Sequence, residues 1–347
     1  MSDSSRQYLI IGPSWVGDMV MAQSLFITLK RLYPGCAIDV VSPQWSLPVL
    51  ARMPEVRHGL ALPVAHGKFG LVTRYGLGRS LRSRQYTHAI VLPRSWKSAL
   101  IPFFANVPVR TGYRGEMRYG LLNDIRHLDT TVLTQTVQRY VAHAYDAVAY
   151  AVEPPQVPYP QLQSNKQNTD RLLQLLELNL DRPIVGFMPG AEYGPAKQWP
   201  TEYFAQLANM LIAQGYQVWV FGSAKEQELG DKIIHNIPAE AYNLCGKTEL
   251  VDVIDLISCA EQVVSNDSGL MHIAAAMDVR VNVIYGSSTP AYTPPLTDNA
   301  SVFYKALDCS PCFARQCRYQ HYNCLKQIEP DEVLNRIMDA WNRGAHQ

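Results

Sequence analysis

Tyr8-Leu9-Ile10-Ile11-Gly12-Pro13-Ser14-Trp15-Val16-Gly17-Asp18 is the stretch on which the fold turns. Four consecutive apolar residues stopped by Gly-Pro fit a strand buried on both faces, as in a parallel sheet. Met21, Leu25, Leu29 and Leu32 then recur at helical spacing until Pro34-Gly35 ends the pattern, and residues 37–41 read as a second strand. That is a βαβ unit. Residues 87–92 supply a later strand of the same sheet, ending at Pro93-Arg94-Ser95.

The alternation stops at Pro154-Pro155-Gln156-Val157-Pro158-Tyr159-Pro160, where four prolines stiffen the backbone and remove hydrogen-bond donors. It restarts with strands at 184–188, 216–221, 262–265 and 281–285, and helices at 201–214, 225–236, 250–259 and 268–277. With 347 residues the chain exceeds the roughly 250–300 at which single cores stop growing. Two doubly wound α/β domains are predicted, 1–160 and 161–347.

The chain is 47% hydrophobic and 18% charged, a globular composition. Its net charge of +1 excludes binding driven by total charge, but residues 1–160 hold seventeen Lys+Arg against nine Asp+Glu, and residues 161–347 hold fourteen against twenty-one. A basic half precedes an acidic one. No apolar run reaches the roughly 18 residues of a spanning helix, and the start, Met1 to Arg6, lacks a signal-peptide core, so a cytoplasmic location is expected.

Ligands of doubly wound sheets lie beyond the C-terminal ends of the strands, so the chemistry is sought in the loops there. The first, 12–18, lacks both GxGxxG and the phosphate loop. Asp18 is either a first-turn helix charge or, at the mouth of an interdomain cleft, a general base. In Pro189 to Pro200, Lys197 is either a solvated ammonium or a phosphate contact. Glu226, in Phe221-Gly222-Ser223-Ala224-Lys225-Glu226, is a helix-start charge or a partner for ribose hydroxyls. Ser265-Asn266-Asp267-Ser268-Gly269-Leu270-Met271-His272 offers ordinary helix caps, yet free N–H groups at Ser268-Gly269 with His272 one turn later suit a pyrophosphate.

The basic half adds Arg94, Lys97, Arg110, Arg114 and Arg118, whose guanidinium forks suit carboxylates and phosphates. Without a stacking module or RNA-binding signature, nucleic acid ranks below other anions. Cys309, Cys312, Cys317 and Cys324 fall within sixteen residues. Structural zinc and free thiols both remain open, whereas four thiolates would leave no position for catalytic zinc.

The motifs GPSWVGDMVMAQSL, PRSWKSALIPFFANVPVRTGYRGEMRYGLLND, PGAEYGPAKQWP, FGSAKE and SNDSGLMHIAAA, in that order, resemble the ADP-heptose:lipopolysaccharide heptosyltransferases from about residue 8 to 302. The resemblance implies a GT-B glycosyltransferase of two Rossmann-like domains facing across a cleft, acceptor on the N-terminal one and ADP-heptose on the C-terminal one. It implies inverting transfer of heptose to the first heptose of the lipopolysaccharide inner core, heptosyl-Kdo-lipid A, with another inner-core acceptor or a non-catalytic nucleotide-sugar-binding protein as alternatives. It also implies that no cofactor is required and no metal is bound; the chain has no Asp-x-Asp, the usual metal-holding pattern of the other large glycosyltransferase fold.

Carried over residue by residue, Asp18 becomes the base, and Lys197 the phosphate contact and second catalytic group. Gly17, Glu192, Tyr193, Glu226, Thr248, Asp267, Ser268, Gly269 and His272 complete the donor site, and the five basic residues above face the acceptor. The implied partners are ADP-heptose, the inner-core acceptor and, peripherally, the inner membrane, with no nucleic acid.

Overall fold

The apolar run at 8–11 is β1 (Gln7–Ile11), and it lies in the interior of a sheet. After it come β2 (Ala37–Ser42), β3 (His58–Ala61), β4 (His88–Val91), β5 (Val109–Tyr113) and β6 (Asp124–Arg126). Their order is β3-β2-β1-β4-β5-β6, with every pairing parallel. α1 (Val16–Leu32), α2 (Leu47–Leu50), α3 (Leu71–Ser80) and α4 (Leu100–Phe104) lie in the crossovers, and α5 (Thr136–Val141) follows the last strand. This is a computed structural model. It describes residues 6–64, 68–235, 237 and 240–344; residues 1–5 of the lead-in and residue 236 of the expected 225–236 helix lie outside them.

The chain divides into two compact units, Met1–Gln163 and Ser164–Gln347. In the second, α6 (Lys166–Leu175) leads into β7 (Ile184–Met188), α7 (Thr201–Ala213), β8 (Gln217–Val220), α8 (Gln227–Ile234) and β9 (Ala241–Asn243). α9 (Leu250–Ile257), β10 (Gln262–Asn266), α10 (Gly269–Ala276), β11 (Arg280–Tyr285), β12 (Ala300–Tyr304), α11 (Asn323–Lys326) and α12 (Pro330–Gly344) complete it. The sheet order is β12-β11-β10-β7-β8-β9, again wholly parallel. Among the described residues no helix is long and apolar enough to cross a membrane.

Each sheet has its own core. In the first unit Leu9, Ile11, Val41 and Val91 pack with Ile101 of α4; in the second Val185, Phe187 and Val220 pack with Phe204 of α7 and Ile337 of α12. Burying one such side chain contributes roughly 1.5–3 kcal/mol. The proline-rich segment is held to the first unit, because the Gln23 side chain of α1 both accepts from Gln161 N–H (3.1 Å) and donates to the Gln161 carbonyl (2.6 Å).

The first core also contains a charge. Asp39 on β2 is fully buried and accepts hydrogen bonds from Arg57 (2.8 Å), Arg84 (2.8 Å) and the Tyr86 hydroxyl (2.5 Å). Burial pushes its carboxyl up, but these three donors outweigh burial and hold it below the usual carboxylate range.

The strand orders fix where ligands belong. In each sheet the direction of winding reverses between two adjacent strands, β1 and β4 in the first unit, β7 and β10 in the second. Beyond the C-terminal ends of such a pair lies the crevice in which doubly wound folds hold ligands. Residues 12–18 and 92–97 therefore flank one switch point, and residues 189–200 and 267–269 flank the other.

Candidate functional site

The second unit's switch point is built from β7 and β10 outward. Asn266, the last residue of β10, is buried and joins the two loops: its side-chain Oδ1 accepts from Trp199 N–H (3.0 Å) and its side-chain Nδ2 donates to the Pro189 carbonyl (2.7 Å). The loop after β7 makes a short 3-10 turn at Pro195–Lys197, which aims Lys197 at the end of β10. There Lys197 Nζ pairs with Asp267 at 2.5 Å, and the Ser288 hydroxyl donates to the same carboxylate oxygen at 2.5 Å. The Lys197 and Asp267 side chains are only 18% and 4% exposed, so the pair sits in a poorly hydrated setting.

Ser268 precedes α10 in extended conformation without capping it through its side chain, and Gly269 opens the helix. His272 lies one turn in, fully buried, its Nδ1 without a hydrogen-bond partner. Burial lowers its pKa to about 4; Asp267 pulls the other way and Lys197 adds to the lowering. The imidazole is therefore neutral near pH 7.

Two cations lie near the Tyr193 ring, Lys197 at 5.2 Å and Arg315 at 5.3 Å from its centroid, and its hydroxyl donates to the Phe313 carbonyl (2.6 Å). Arg315 and Phe313 belong to the cysteine-rich segment, which binds the rest of this site through its backbone. Ala196 N–H donates to the Arg315 carbonyl (3.1 Å), and Phe313 N–H to the Ser287 carbonyl (2.7 Å). Neither Arg315 nor Ser288 is among the candidates that the sequence offers, and Asn266 is offered there only as a helix cap. Ser288 follows β11 in a small-residue loop, a strand end like those of the other candidates; Arg315 carries no such signal.

Two expected donor residues are engaged locally. Glu226 Oε2 accepts from the N–H (2.6 Å) and hydroxyl (2.9 Å) of Ser223, a capping box, and its carboxyl end packs against Gly190 and Gly222. Thr248 donates a long hydrogen bond, 3.4 Å, to the Leu244 carbonyl. Glu192 forms an exposed ion pair with Lys225 at 3.0 Å, a geometry of little energetic weight.

In the first unit Gly17 is buried in the first turn of α1 and Asp18 follows it, half-buried, where the helix dipole favours a negative charge. Arg94 and Arg114 are exposed and share a contact, Arg94 donating to the Arg114 carbonyl (3.4 Å); Lys97 is half-buried in the turn after β4. Arg118 departs from its expected place on an acceptor surface. It is 2% exposed, donates to the Pro93 and Tyr113 carbonyls, and burial, reinforced by Arg94, lowers its pKa to about 10. Arg110 is also partly spent, its guanidinium donating to the Leu121 and Val107 carbonyls at 2.6 Å each. Two of the five expected acceptor cations thus tie loops together.

Cys309, Cys312, Cys317 and Cys324 are free thiols. Among the described residues no three His, Cys, Asp or Glu side chains are grouped to hold a metal. Burial and the nearness of the other three sulfurs raise the Cys324 thiol. At Cys317 burial acts upward, but the backbone N–H groups of Tyr319, Gln320, His321 and Tyr322 outweigh it and favour the thiolate.

Residues 74–323 match the model of glycosyltransferase family 9 (heptosyltransferase). The chain belongs to that family. It is 46% identical over 336 residues to lipopolysaccharide heptosyltransferase 2 of Salmonella typhimurium, covering 95% of this chain and 97% of the relative. It is 50% identical over 303 residues to lipooligosaccharide heptosyltransferase 2 of Haemophilus influenzae, covering 85% and 87%. The structure of Escherichia coli ADP-heptose lps heptosyltransferase II superposes with a TM-score of 0.87 at 41% identity, over 98% of this chain and 99% of that one. The family 9 chain therefore has the α/β architecture of that enzyme, two parallel six-stranded sheets flanked by helices.

Proposed function

We infer that the protein is an inverting heptosyltransferase that moves L-glycero-D-manno-heptose from ADP-heptose to the first heptose of the lipopolysaccharide inner core. The near-full-length identity to two enzymes named heptosyltransferase 2 carries this reading. In it the first unit binds the acceptor and the second binds ADP-heptose. The chemistry divides accordingly. Asp18 takes the proton from the acceptor hydroxyl; the freed oxygen forms a bond to the anomeric carbon as the bond from that carbon to the diphosphate breaks. Arg94, Lys97 and Arg114 remain to meet acidic groups of the acceptor.

Negative charge grows on the departing ADP. Lys197 and the N–H groups at Ser268-Gly269 stabilise it, in a setting where water competes poorly. Asp267 orients Lys197 and accepts from donor-sugar hydroxyls, neutral His272 hydrogen-bonds at the same edge, and Glu226 keeps Oε1 for the ribose. Gly17, Glu192, Tyr193 and Thr248 border the donor. Arg315 adds a second positive charge beside Tyr193. Because the acceptor is lipid-linked, the enzyme works peripherally at the cytoplasmic face of the inner membrane.

Asp18→Asn tests the base. Transfer to heptosyl-Kdo-lipid A should fall by roughly 100- to 10,000-fold while ADP-heptose affinity is retained. Undiminished transfer removes Asp18 from that role, and turnover of Kdo-lipid A lacking any heptose overturns the acceptor assignment.

A further inference from the structure

We propose that the face formed by α3, α4 and the turn after β4 in the first unit docks on the surface of an anionic phospholipid bilayer. The inference rests on the lipid-linked acceptor inferred above, and it names the surface that meets the lipid. From Val56 to Gly115, sixty residues, the chain has ten Lys+Arg and not one Asp or Glu. Such a run is far from the near balance of the chain as a whole.

The same stretch exposes apolar side chains that a folded unit ordinarily hides. Val72 is 83% exposed, and Leu71, Tyr75, Phe69, Trp96 and Phe103 are each at least 40% exposed. Ring contacts join the aromatic residues into two groups, with α3 carrying Tyr75 and following directly on Phe69-Gly70. Phe69 packs on Trp96 with ring centroids 4.9 Å apart, Tyr75 meets Phe104 at 5.1 Å, and Phe104 meets Phe103 at 5.6 Å. α3 and α4 are held close because Gly78 has no side chain: a Cβ there would lie 2.6 Å from the Phe104 Cβ and 2.7 Å from the Ile101 carbonyl oxygen. On α3, Leu71, Val72, Tyr75 and Arg79 are exposed while Arg74 and Gly78 are buried, so the apolar residues share the outer side with a cation.

The charges lie where an anionic surface would meet them. Lys68, Arg79 and Arg82 are exposed around the aromatic residues; Arg79 donates to the Tyr75 hydroxyl (3.3 Å) and Arg82 to the Phe104 carbonyl (2.8 Å). Arg110 lies over the Phe103 ring at 5.7 Å. Not every cation of the run contributes: Arg57 and Arg84 share buried Asp39, and Arg74 is buried. Glu55 and Glu116 bound the run, and Glu116 accepts from Trp96 N–H (2.9 Å). Aromatic and aliphatic groups that enter the headgroup layer, ringed by Lys and Arg attracted to acidic lipid, are the chemistry of interfacial binding. The patch begins at the loop after β4, at the C-terminal end of the strands, which also carries the loop of Asp18. A bilayer engaged there lies beside the first unit's ligand edge.

Co-sedimentation with vesicles tests this on the full chain. Wild type should bind phosphatidylethanolamine–phosphatidylglycerol vesicles, bind phosphatidylcholine vesicles at least roughly tenfold more weakly, and be released by about 0.5 M NaCl. Val72→Glu/Phe103→Glu should reduce binding roughly tenfold or more while turnover of a deacylated, water-soluble acceptor stays at the wild-type level, which also establishes that the variant is folded. Arg79→Glu/Arg82→Glu should weaken binding to the acidic vesicles and leave the weak phosphatidylcholine binding unchanged. Equal binding of wild type and Val72→Glu/Phe103→Glu overturns the proposal. So does a wild-type dimer that becomes monomeric in that variant with no lipid binding, which would assign the face to a second copy. Vesicle binding without turnover of any heptosyl acceptor would instead defeat the functional reading and leave the surface intact.

Discussion

At the residue scale the Lys197–Asp267–Ser288 cluster separates a structural from a catalytic role. Asp267 is nearly inaccessible and pairs with Lys197, so Lys197→Ala leaves a buried carboxylate that keeps the Ser288 hydroxyl as a close donor but loses its cation. Loss of a buried partner costs about 3–5 kcal/mol, and loss of a donor to a developing anion costs roughly 100-fold or more in rate. Both effects are expected in Lys197→Ala. Lys197→Ala/Asp267→Asn removes both charges, and its melting temperature should return toward wild type while kcat stays at least roughly 100-fold down. Recovery of kcat together with stability would mean that Lys197 only balances Asp267.

At the scale of elements, what the sequence revealed follows burial. β1, β7, β10 and β11 are interior strands buried on both faces, and the loops after them were legible because Gly, Pro, Ser and Asp cluster where such strands stop. β3, β6, β9 and β12 are the sheet-edge strands, three to five residues long with no apolar run of four to mark them; β6 reads only Asp124-Ile125-Arg126. Arg118 misled for the opposite reason: nothing in Gly115-Glu116-Met117-Arg118 reports that its guanidinium turns inward onto two carbonyls.

Gly190 is a feature whose purpose only the fold explains. A Cβ at this position would lie 1.6 Å from Glu226 Oε1 and 2.4 Å from its Cδ, so the loops after β7 and β8 meet as they do because residue 190 has no side chain. Gly190→Ala should push the Glu226 carboxylate aside. With a charged hydrogen bond contributing about 1.5–3 kcal/mol, the KM for ADP-heptose should rise roughly tenfold or more, with a smaller change in kcat. An unchanged KM would remove Glu226 from the nucleotide.

At the scale of the whole molecule, both units keep a buried histidine neutral, and this sets their response to acid. His143 in the first unit packs against the Tyr113 ring at 4.3 Å, and burial, with Arg126 adding to it against Asp124, lowers its pKa to about 3; His272 in the second is lowered to about 4. Both folded values lie below the ordinary 6.5, so on unfolding below that pH each site takes up a proton that the native protein refuses. Stability is therefore complete above about pH 6.5 and declines as pH falls toward 4 for His272 and 3 for His143. At pH 5 the loss is about 2 kcal/mol for each histidine. Asp39 acts in a separate window, since its lowered carboxyl withdraws stability only below the ordinary carboxylate range. Thermal unfolding followed between pH 7.5 and 5 should show both units destabilised, and His272→Asn and His143→Phe should each flatten the slope of their own unit. A melting profile independent of pH across that interval would mean that these imidazoles are charged or hydrated in the native protein, and His272 would then join Lys197 as a positive charge at the donor edge.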